Sequence, residues 1–170
     1  MGHNATSEAL AMRWTEVCND PALRSLPYKI ELNAWGKIEI SPASNRHGRL
    51  QTIIGAEFLR QLPDGIVISE ASVVTDIGVR VPDVAWGSAL FMAAYGETTP
   101  YPRAPEICVE IVSPANSADE IREKIRAYLS AGAAEVWIAL EDGTVRYFGA
   151  AGELSASHFP VTLNLPKPLN

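Results

Sequence analysis

The segment 104–112 restricts the fold of this chain most, because its residues form an almost continuous apolar run of the kind found in central strands. A helical pattern follows it, with apolar residues three and four positions apart, and Gly132 is placed to end that helix. A second strand pattern begins at Glu135. The helix is long enough for a right-handed crossover between two parallel strands. The sequence therefore predicts an α/β fold.

The remaining segments predict a mixed β-sheet flanked by helices. An amphipathic helix begins after Thr6, and residues 26–41 have the pattern of a β-hairpin. Further on, we expect a helix over 47–62, strands over 66–75, 79–86, 135–140 and 144–148, an edge strand over 161–163, and an irregular segment over 87–105. The expected architecture is a single domain, 1–170, with the N-terminal helix and the hairpin added to the central sheet.

Charge and cysteine content narrow the setting in which the chain works. Lys and Arg number 14 against 20 Asp and Glu, and this net charge of −6 disfavours a broad nucleic-acid surface but leaves a local one open. No apolar run approaches the roughly 20 residues of a membrane span, and residues 1–4 lack a secretory-signal pattern. Cys18 and Cys108 are expected to be buried free thiols, so we expect a cytoplasmic protein without membrane contact.

Two carboxylates interrupt strand patterns and need a compensating positive charge. Asp83 lies within the run 79–86, and Glu110 lies within 104–112. A buried carboxylate is strongly unfavourable unless a lysine, an arginine such as Arg80 or Arg103, or a shared metal ion neutralises it. Each acid could instead be exposed at a strand end, and paired acids also suit a hydrolase acting on sugars. The spacing alone leaves these alternatives open.

The two acids belong to an ordered series of segments that resembles a known nuclease superfamily. Pro82-Asp83 followed by Glu110-Ile111-Val112-Ser113-Pro114 is similar to the PD-(D/E)XK nucleases, and more closely to a large bacterial family of uncharacterised restriction endonucleases within them. The similarity covers a core of roughly residues 28–148 and includes Tyr28 to Leu32, Gly36 to Pro42, His47-Gly48, Glu123-Lys124, Tyr128, Ala131 to Ala133 and Glu135 to Ile138.

This resemblance implies a restriction-endonuclease-like fold and a metal-dependent nuclease. Asp83 and Glu110 would bind Mg²⁺ or Mn²⁺, the partner would be nucleic acid, with DNA expected, and a homodimer would suit cleavage of both strands. The superfamily usually has a lysine two residues after the glutamate, where this chain has Val112. The matching residue of the family is Lys124 in the next helix, so the predicted catalytic residues are Asp83, Glu110 and Lys124.

Lys124 has alternative interpretations. Arg122 flanks the other edge of the apolar stripe equally well, and Lys124 could form an ordinary pair with Glu120 on the helix surface. The missing lysine at Val112, together with the negative net charge, also supports a second hypothesis. In that hypothesis the chain is a catalytically inactive nuclease-fold module that serves binding or assembly.

Three further residues could support the site. His47 could contact phosphate or position water, or it could have a structural role at the start of its helix. Glu39 could be an additional metal ligand or face solvent. Glu57 could complete a metal site from its helix or form a structural ion pair, and it lies outside the segments that resemble the family.

Overall fold

The computed structural model describes residues 4–169, which fold into helices packed against two β-sheets. Within this range the helices are α1 (Ser7–Asn19), α2 (Pro21–Arg24), α3 (Asn45–Gln61), α4 (Ala89–Tyr95) and α5 (Ala118–Ser130). The strands are β1 (Lys29–Asn33), β2 (Ile38–Ser41), β3 (Gly65–Ser69), β4 (Val73–Thr75), β5 (Gly78–Arg80), β6 (Val84–Ser88), β7 (Ile107–Val112), β8 (Glu135–Leu140), β9 (Val145–Gly149) and β10 (Gly152–Leu154). Residues 1–3, which belong to the segment examined for a signal sequence, and residue 170, the end of the predicted domain, lie outside the described residues.

The two sheets differ in size, with six strands in the large sheet and four in the small sheet. The large sheet has the order β10-β9-β8-β7-β6-β3, and the small sheet has the order β2-β1-β5-β4. β7 and β8 are parallel and are joined by α5, while the other strand pairs in these sheets are antiparallel. The predicted α/β class with a mixed sheet, an N-terminal helix and a β-hairpin is therefore confirmed.

Helix α5 has strong local signals at both ends. The Ser117 hydroxyl accepts the backbone N–H of Glu120, and the Glu120 carboxylate accepts the backbone N–H of Ser117, which together form a capping box. Beyond the helix, Gly132 has a φ of 105°, a backbone conformation that glycine adopts without steric cost. These signals fix where the crossover from β7 to β8 begins and ends.

The predicted strand 79–86 is wrong, because the structure divides it between the two sheets. β5 ends at Arg80 in the small sheet, and β6 begins at Val84 in the large sheet. Pro82 lies between them and has no N–H for a ladder hydrogen bond, so the chain changes sheets here. The predicted strand 66–75 is similarly divided between β3 and β4. Asp83 consequently lies at the junction of the two sheets.

β7 is the central strand of the core, and all six of its residues are buried. Ile107, Val109 and Ile111 pack in a cluster with the buried residues of α3, whereas Cys108 and Val112 pack in a cluster with α5. Each fully buried aliphatic side chain stabilises the fold by roughly 1.5–3 kcal/mol. The alternation gives the strand two packed faces and directs Glu110 towards α5.

Two predicted segments outside this core differ from the structure. The irregular segment 87–105 contains α4, whose first turn is capped by the Ser88 hydroxyl and whose Phe91 side chain is buried. Residues 161–163 form no strand, because β10 occupies the edge of the large sheet while Val161 packs into the core. The outer strand position was therefore predicted at the wrong segment.

The expectations drawn from composition have mixed outcomes. Cys108 is a buried free thiol, whereas Cys18 is free but exposed, because it lies on the outer face of α1. Among residues 4–169, no helix combines the length and the apolar character that crossing a bilayer requires.

Candidate active site

Asp83 is almost fully buried at the junction of the two sheets. The Lys29 ammonium donates a hydrogen bond to Asp83 Oδ1 over 2.8 Å, and His47 Nε2 lies 3.1 Å from the same oxygen. The other oxygen, Oδ2, accepts the backbone N–H of Ile111 over 2.7 Å. This backbone contact fixes the carboxylate against β7 and leaves Oδ1 facing the positively charged side chains.

Glu110 lies in the middle of β7, and its side chain extends under α5. Its Oε1 accepts hydrogen bonds from the Tyr128 hydroxyl over 2.7 Å and from the Lys124 ammonium over 3.2 Å. Its Oε2 lies 3.4 Å from Lys29 Nζ. Lys124 and Tyr128 are four residues apart on one face of α5, so the crossover helix brings both of them onto the same carboxylate.

Lys29 joins the two acids, and the sequence prediction gave it no role. It opens β1, and its side chain is only 11% exposed. The segment that contains it belongs to the similarity with the nuclease family, but a lysine at the start of a strand usually faces solvent. The sequence did indicate that Asp83 and Glu110 need a compensating cation and that a lysine could supply it, but it did not indicate which lysine.

Glu31 is a third buried acid at the site that the sequence prediction missed. It lies two residues after Lys29 on the same face of β1 and is 5% exposed. Its carboxylate accepts the backbone N–H of Val81 over 2.8 Å and lies 3.1 Å from Lys124 Nζ and 3.6 Å from Arg80 Nη1. Lys124 therefore bridges Glu31 and Glu110, between the small sheet and the large sheet.

The other ion pairs that the sequence left open for these residues do not form in the structure. Glu120 completes the capping box of α5 and is not the partner of Lys124, and Arg122 forms an exposed pair with Asp119. Arg80 contacts Glu31 and Glu39 rather than Asp83 or Glu110, and the Arg103 side chain lies against Gly132. The cations beside the two predicted site acids are thus the lysines and His47.

The three supporting candidates have different surroundings. His47 contacts Asp83 and belongs to the site. Glu39 is 2.5 Å from Arg80 and is half exposed at the rim. Glu57 binds Arg60 and Gln61 on the outer part of α3, which matches its interpretation as a structural ion pair.

Opposite charges shift the pKa values of Asp83 and Lys29 apart. Burial would lower the pKa of Lys29, but the negative charges of Glu110, Asp83 and Glu31 outweigh burial and raise it above its usual range. Burial would raise the pKa of Asp83, but Lys29 and His47 hold it well below its usual range. At neutral pH the Lys29 ammonium therefore lies beside an ionised Asp83 carboxylate.

Nearby opposite charges also shift the pKa values of His47 and Glu31. The hydrogen bond to Asp83 raises the pKa of His47 despite its partial burial. Burial would raise the pKa of Glu31, but Lys124 and Lys29 lower it. The site is a compact set of ionised groups whose charges depend on one another.

Two clefts open onto this set of charges. The larger has a volume of about 620 Å³, and its lining includes Lys29, His47, Asp83 and Glu110. The smaller has a volume of about 320 Å³, and Glu31, Glu110 and Lys124 line both clefts. Asp83 and Glu110 are therefore largely buried, yet both line a cleft that a ligand can enter.

The donor set can be compared with the needs of a divalent ion. Within residues 4–169, no group of three or more His, Cys, Asp or Glu side chains has the spacing of a metal site. Asp83 and Glu110 nevertheless present hard oxygen atoms to one shared positive charge, the Lys29 ammonium. Mg²⁺ is often held by one or two carboxylates, with water and substrate phosphate as further ligands. The residues fit an ion whose remaining ligands come from outside the chain.

Comparisons with known proteins place the fold and the family. A crystal structure of a "putative nuclease" from Anabaena variabilis matches with a TM-score of 0.63 and 16% sequence identity, over 77% of this chain and 83% of that chain. At this identity the likeness concerns the fold, and it confirms the predicted nuclease-like architecture. No curated protein matches the chain. The model of the Uma2 family, described as "Putative restriction endonuclease", matches residues 20–170, so the chain belongs to this family, as its resemblance predicts.

Proposed function

We propose that the chain is a metal-dependent nuclease that hydrolyses phosphodiester bonds, with DNA as its substrate. One observation carries the proposal: the Asp83 and Glu110 carboxylates lie 2.8 Å and 3.4 Å from a single cationic atom at the floor of the larger cleft. Membership of a family described as "Putative restriction endonuclease" supports DNA as the substrate class. The fold shared with the Anabaena protein, which is described as a "putative nuclease", is consistent with the same reaction class.

In this proposal Asp83 and Glu110 hold the metal, Mg²⁺ or Mn²⁺. When bound, such an ion would polarise the scissile phosphate and lower the pKa of an attacking water. The N–H of Ile111 and the hydroxyl of Tyr128 each fix one carboxylate, so both acids are held in place before substrate arrives. Their fixed orientation is the contribution of the protein.

Lys124 is the proposed catalytic lysine. Its ammonium lies between Glu31 and Glu110, and its side chain is 23% exposed and lines both clefts. From this position it would stabilise negative charge that develops on the phosphate in the transition state. The lysine would thereby take over, from α5, the role that Val112 cannot perform in β7.

His47 has a supporting role in the proposal. It lies at the edge of the larger cleft with its Nε2 on Asp83 Oδ1. A protonated His47 would contribute a local positive charge towards a phosphate, which a chain with a net charge of −6 needs at its binding surface. This contact is distinct from the two lysine contacts and can be removed separately.

Plasmid cleavage tests the proposal. Wild-type protein is incubated with DNA in EDTA, in Mg²⁺ and in Mn²⁺, and we expect nicked and linear products with the metals alone. Asp83→Ala should abolish cleavage, whereas Glu57→Gln, which changes an acid outside the site, should retain it. Cleavage that persists in Asp83→Ala at the wild-type rate would rule out the proposed site.

A second candidate function is a nuclease-fold module that binds without catalysis. One observation favours it, because the two acids already share a cation, the Lys29 ammonium, without a metal. Calorimetric titration with Mn²⁺ separates the candidates. Binding that disappears in Glu110→Ala supports the enzyme, and no binding by the wild type at millimolar Mn²⁺, with or without DNA, supports the module.

We further propose a single domain over residues 1–170, a homodimer and a cytoplasmic location. The single domain is supported by the way the chain passes between the sheets at Pro82, which makes the site depend on both sheets. Light scattering at several protein concentrations measures the oligomeric state. A mass equal to one chain, 18.4 kDa, at all concentrations would contradict the homodimer.

A further inference from the structure

Lys29 occupies the position that a cation shared by Asp83 and Glu110 must take. Its ammonium is 2.8 Å from one carboxylate and 3.4 Å from the other, and the side chain is nearly buried. A divalent ion bound between these same two carboxylates would compete with the ammonium for space and would be repelled by its positive charge. A metal ion and the Lys29 ammonium are therefore alternatives at this position.

We propose that Lys29 is a displaceable internal cation, whose ammonium neutralises Asp83 and Glu110 in the metal-free protein and leaves them when a divalent ion binds. This inference rests on the proposed function, because it takes the two acids as the metal ligands. It assigns Lys29 a positioning role in the free protein rather than a ligand role. The chain thus holds its acids ionised and correctly directed before any metal is present.

The charges around the site explain why displacement is needed. Each of the three buried acids, Glu31, Asp83 and Glu110, already has a cationic partner in the chain. Lys29 and Lys124 each contact two of these acids, whereas Arg80 is shared between Glu31 and Glu39. A divalent ion would add two positive charges to acids that are already paired. Metal affinity in the free protein is therefore expected to be weak for as long as the Lys29 ammonium remains.

The displaced ammonium has a place to go. Lys29 lines the larger cleft together with Tyr28 and Ser44, and the cleft has a volume of about 620 Å³. Its long flexible side chain allows the ammonium to turn from the acids towards a phosphate of bound nucleic acid. Such a phosphate also brings negative charge, so metal and nucleic acid should strengthen the binding of each other.

The first test is a calorimetric Mn²⁺ titration without nucleic acid. Lys29→Met should bind Mn²⁺ at least about tenfold more tightly than the wild type, because the competing cation is gone. Lys37→Met is the matched control, since Lys37 is an exposed lysine of the same sheet region, and it should bind like the wild type. Unchanged or weaker affinity in a folded Lys29→Met protein overturns the inference.

A second test uses the wild-type protein and does not depend on a variant that folds. Acetylation of individual lysines is followed by mass spectrometry, with and without saturating Mg²⁺. Lys29 should be protected in the metal-free protein and react several-fold faster with Mg²⁺, whereas Lys37 should be equally reactive in both conditions. Protection of Lys29 that persists in saturating Mg²⁺ overturns the inference.

The outcomes separate this inference from the proposed nuclease function. Metal-dependent cleavage by the wild type, together with equal Mn²⁺ affinity in Lys29→Met, retains the nuclease and rejects displacement. Tighter Mn²⁺ binding by Lys29→Met without any cleavage by the wild type retains displacement and rejects the nuclease. Absence of Mn²⁺ binding from both proteins rejects displacement and also removes the metal from the proposed function.

Discussion

Two neighbouring strands of the large sheet, β7 and β8, each contain a buried glutamate. The two carboxylates are compensated by different kinds of partner. Glu135, at the start of β8, accepts hydrogen bonds from Trp137 Nε1, the Ser157 hydroxyl and the His158 backbone N–H, at 2.7 Å, 2.7 Å and 2.8 Å. Glu110, in the middle of the neighbouring strand β7, contacts the ammonium groups of Lys29 and Lys124. The two glutamates are 2% and 5% exposed, so burial does not distinguish them.

The difference lies in the kind of partner and in what it can do. Glu135 is bound by Trp137, by Ser157 and by the backbone and ring of His158, whose Nδ1 lies 3.0 Å from Oε1, and these contacts tie the segment after β10 to the sheet. These hydrogen bonds lower the pKa of Glu135 although burial would raise it. Glu110 has one fixed donor, the buried Tyr128 hydroxyl, and two flexible lysines beside an open cleft, where another cation or a phosphate can exchange with the ammonium groups. The open cleft and the two lysines are therefore what distinguish Glu110 from Glu135.

Matched amide substitutions give the strongest test of this comparison. Glu110→Gln should lower the rate of DNA cleavage in Mg²⁺ by about 10³-fold, because a neutral amide cannot replace a carboxylate that holds metal. Glu135→Gln should leave the rate per folded molecule nearly unchanged. Initial cleavage rates, normalised to the folded fraction from circular dichroism, measure both effects. A comparable loss in both variants would remove the functional distinction between the two glutamates.

Substitution of Lys124 tests whether this lysine is catalytic or only balances the charge of the acids. Lys124→Met should lower kcat by about 10²-fold, as is typical for the loss of one group that stabilises transition-state charge. Arg122→Met is the control on the same helix, because Arg122 forms only an exposed pair with Asp119. Single-turnover cleavage with saturating metal and DNA measures the chemical step. Equal rates for Lys124→Met and the wild type would show that the lysine only balances charge.

The structural glutamate should show its effect in stability instead. Glu135→Gln should lower the free energy of unfolding by roughly 1–3 kcal/mol, because one amide N–H₂ faces hydrogen-bond donors that need an acceptor. The exposed Glu153, which pairs with Arg146, is the control, and Glu153→Gln should change stability by less than about 1 kcal/mol. Urea denaturation of the metal-free proteins measures both. Equal losses in the two variants would mean that the Glu135 hydrogen bonds contribute no more than an exposed ion pair.

The sequence predicts the parts of this molecule that depend on local pattern. The β7–α5–β8 crossover follows from apolar periodicity and from the signals at Ser117 and Gly132, and Glu110 and Lys124 are brought together by that same local unit. Asp83 was singled out because it interrupts an apolar strand pattern, and the resemblance to the family then gave it a metal-binding role. Its position at the junction of the two sheets was not predicted. The alternating apolar pattern runs through Pro82 without interruption, whereas in the structure the strand hydrogen bonding stops at this proline.

Lys29 and Glu31 show why the rest could not be predicted. Both lie on β1, which belongs to the small sheet, whereas Glu110 lies on β7 of the large sheet. Their contacts with Asp83 and Lys124 join residues 54 and 93 positions apart in the chain. Periodicity assigns a residue to a face of its own strand and carries no information about which element of another sheet packs on that face.

The smallest expected effect concerns pH, and the two regions should respond in opposite directions. The pKa of His47 is raised in the folded state, so its protonated form stabilises the fold below the unfolded pKa near 6.5, and this contribution is lost as pH rises through the folded pKa. The lowered pKa of Glu135 gives a contribution that is present above its unfolded pKa near 4.5 and is lost as pH falls. Because His47 is only partly buried, its share should be less than about 1 kcal/mol. Urea denaturation in EDTA between about pH 6 and 9 should show stability declining in the wild type and less steeply in His47→Gln. An equal decline in both proteins would mean that the His47–Asp83 contact does not couple protonation to folding.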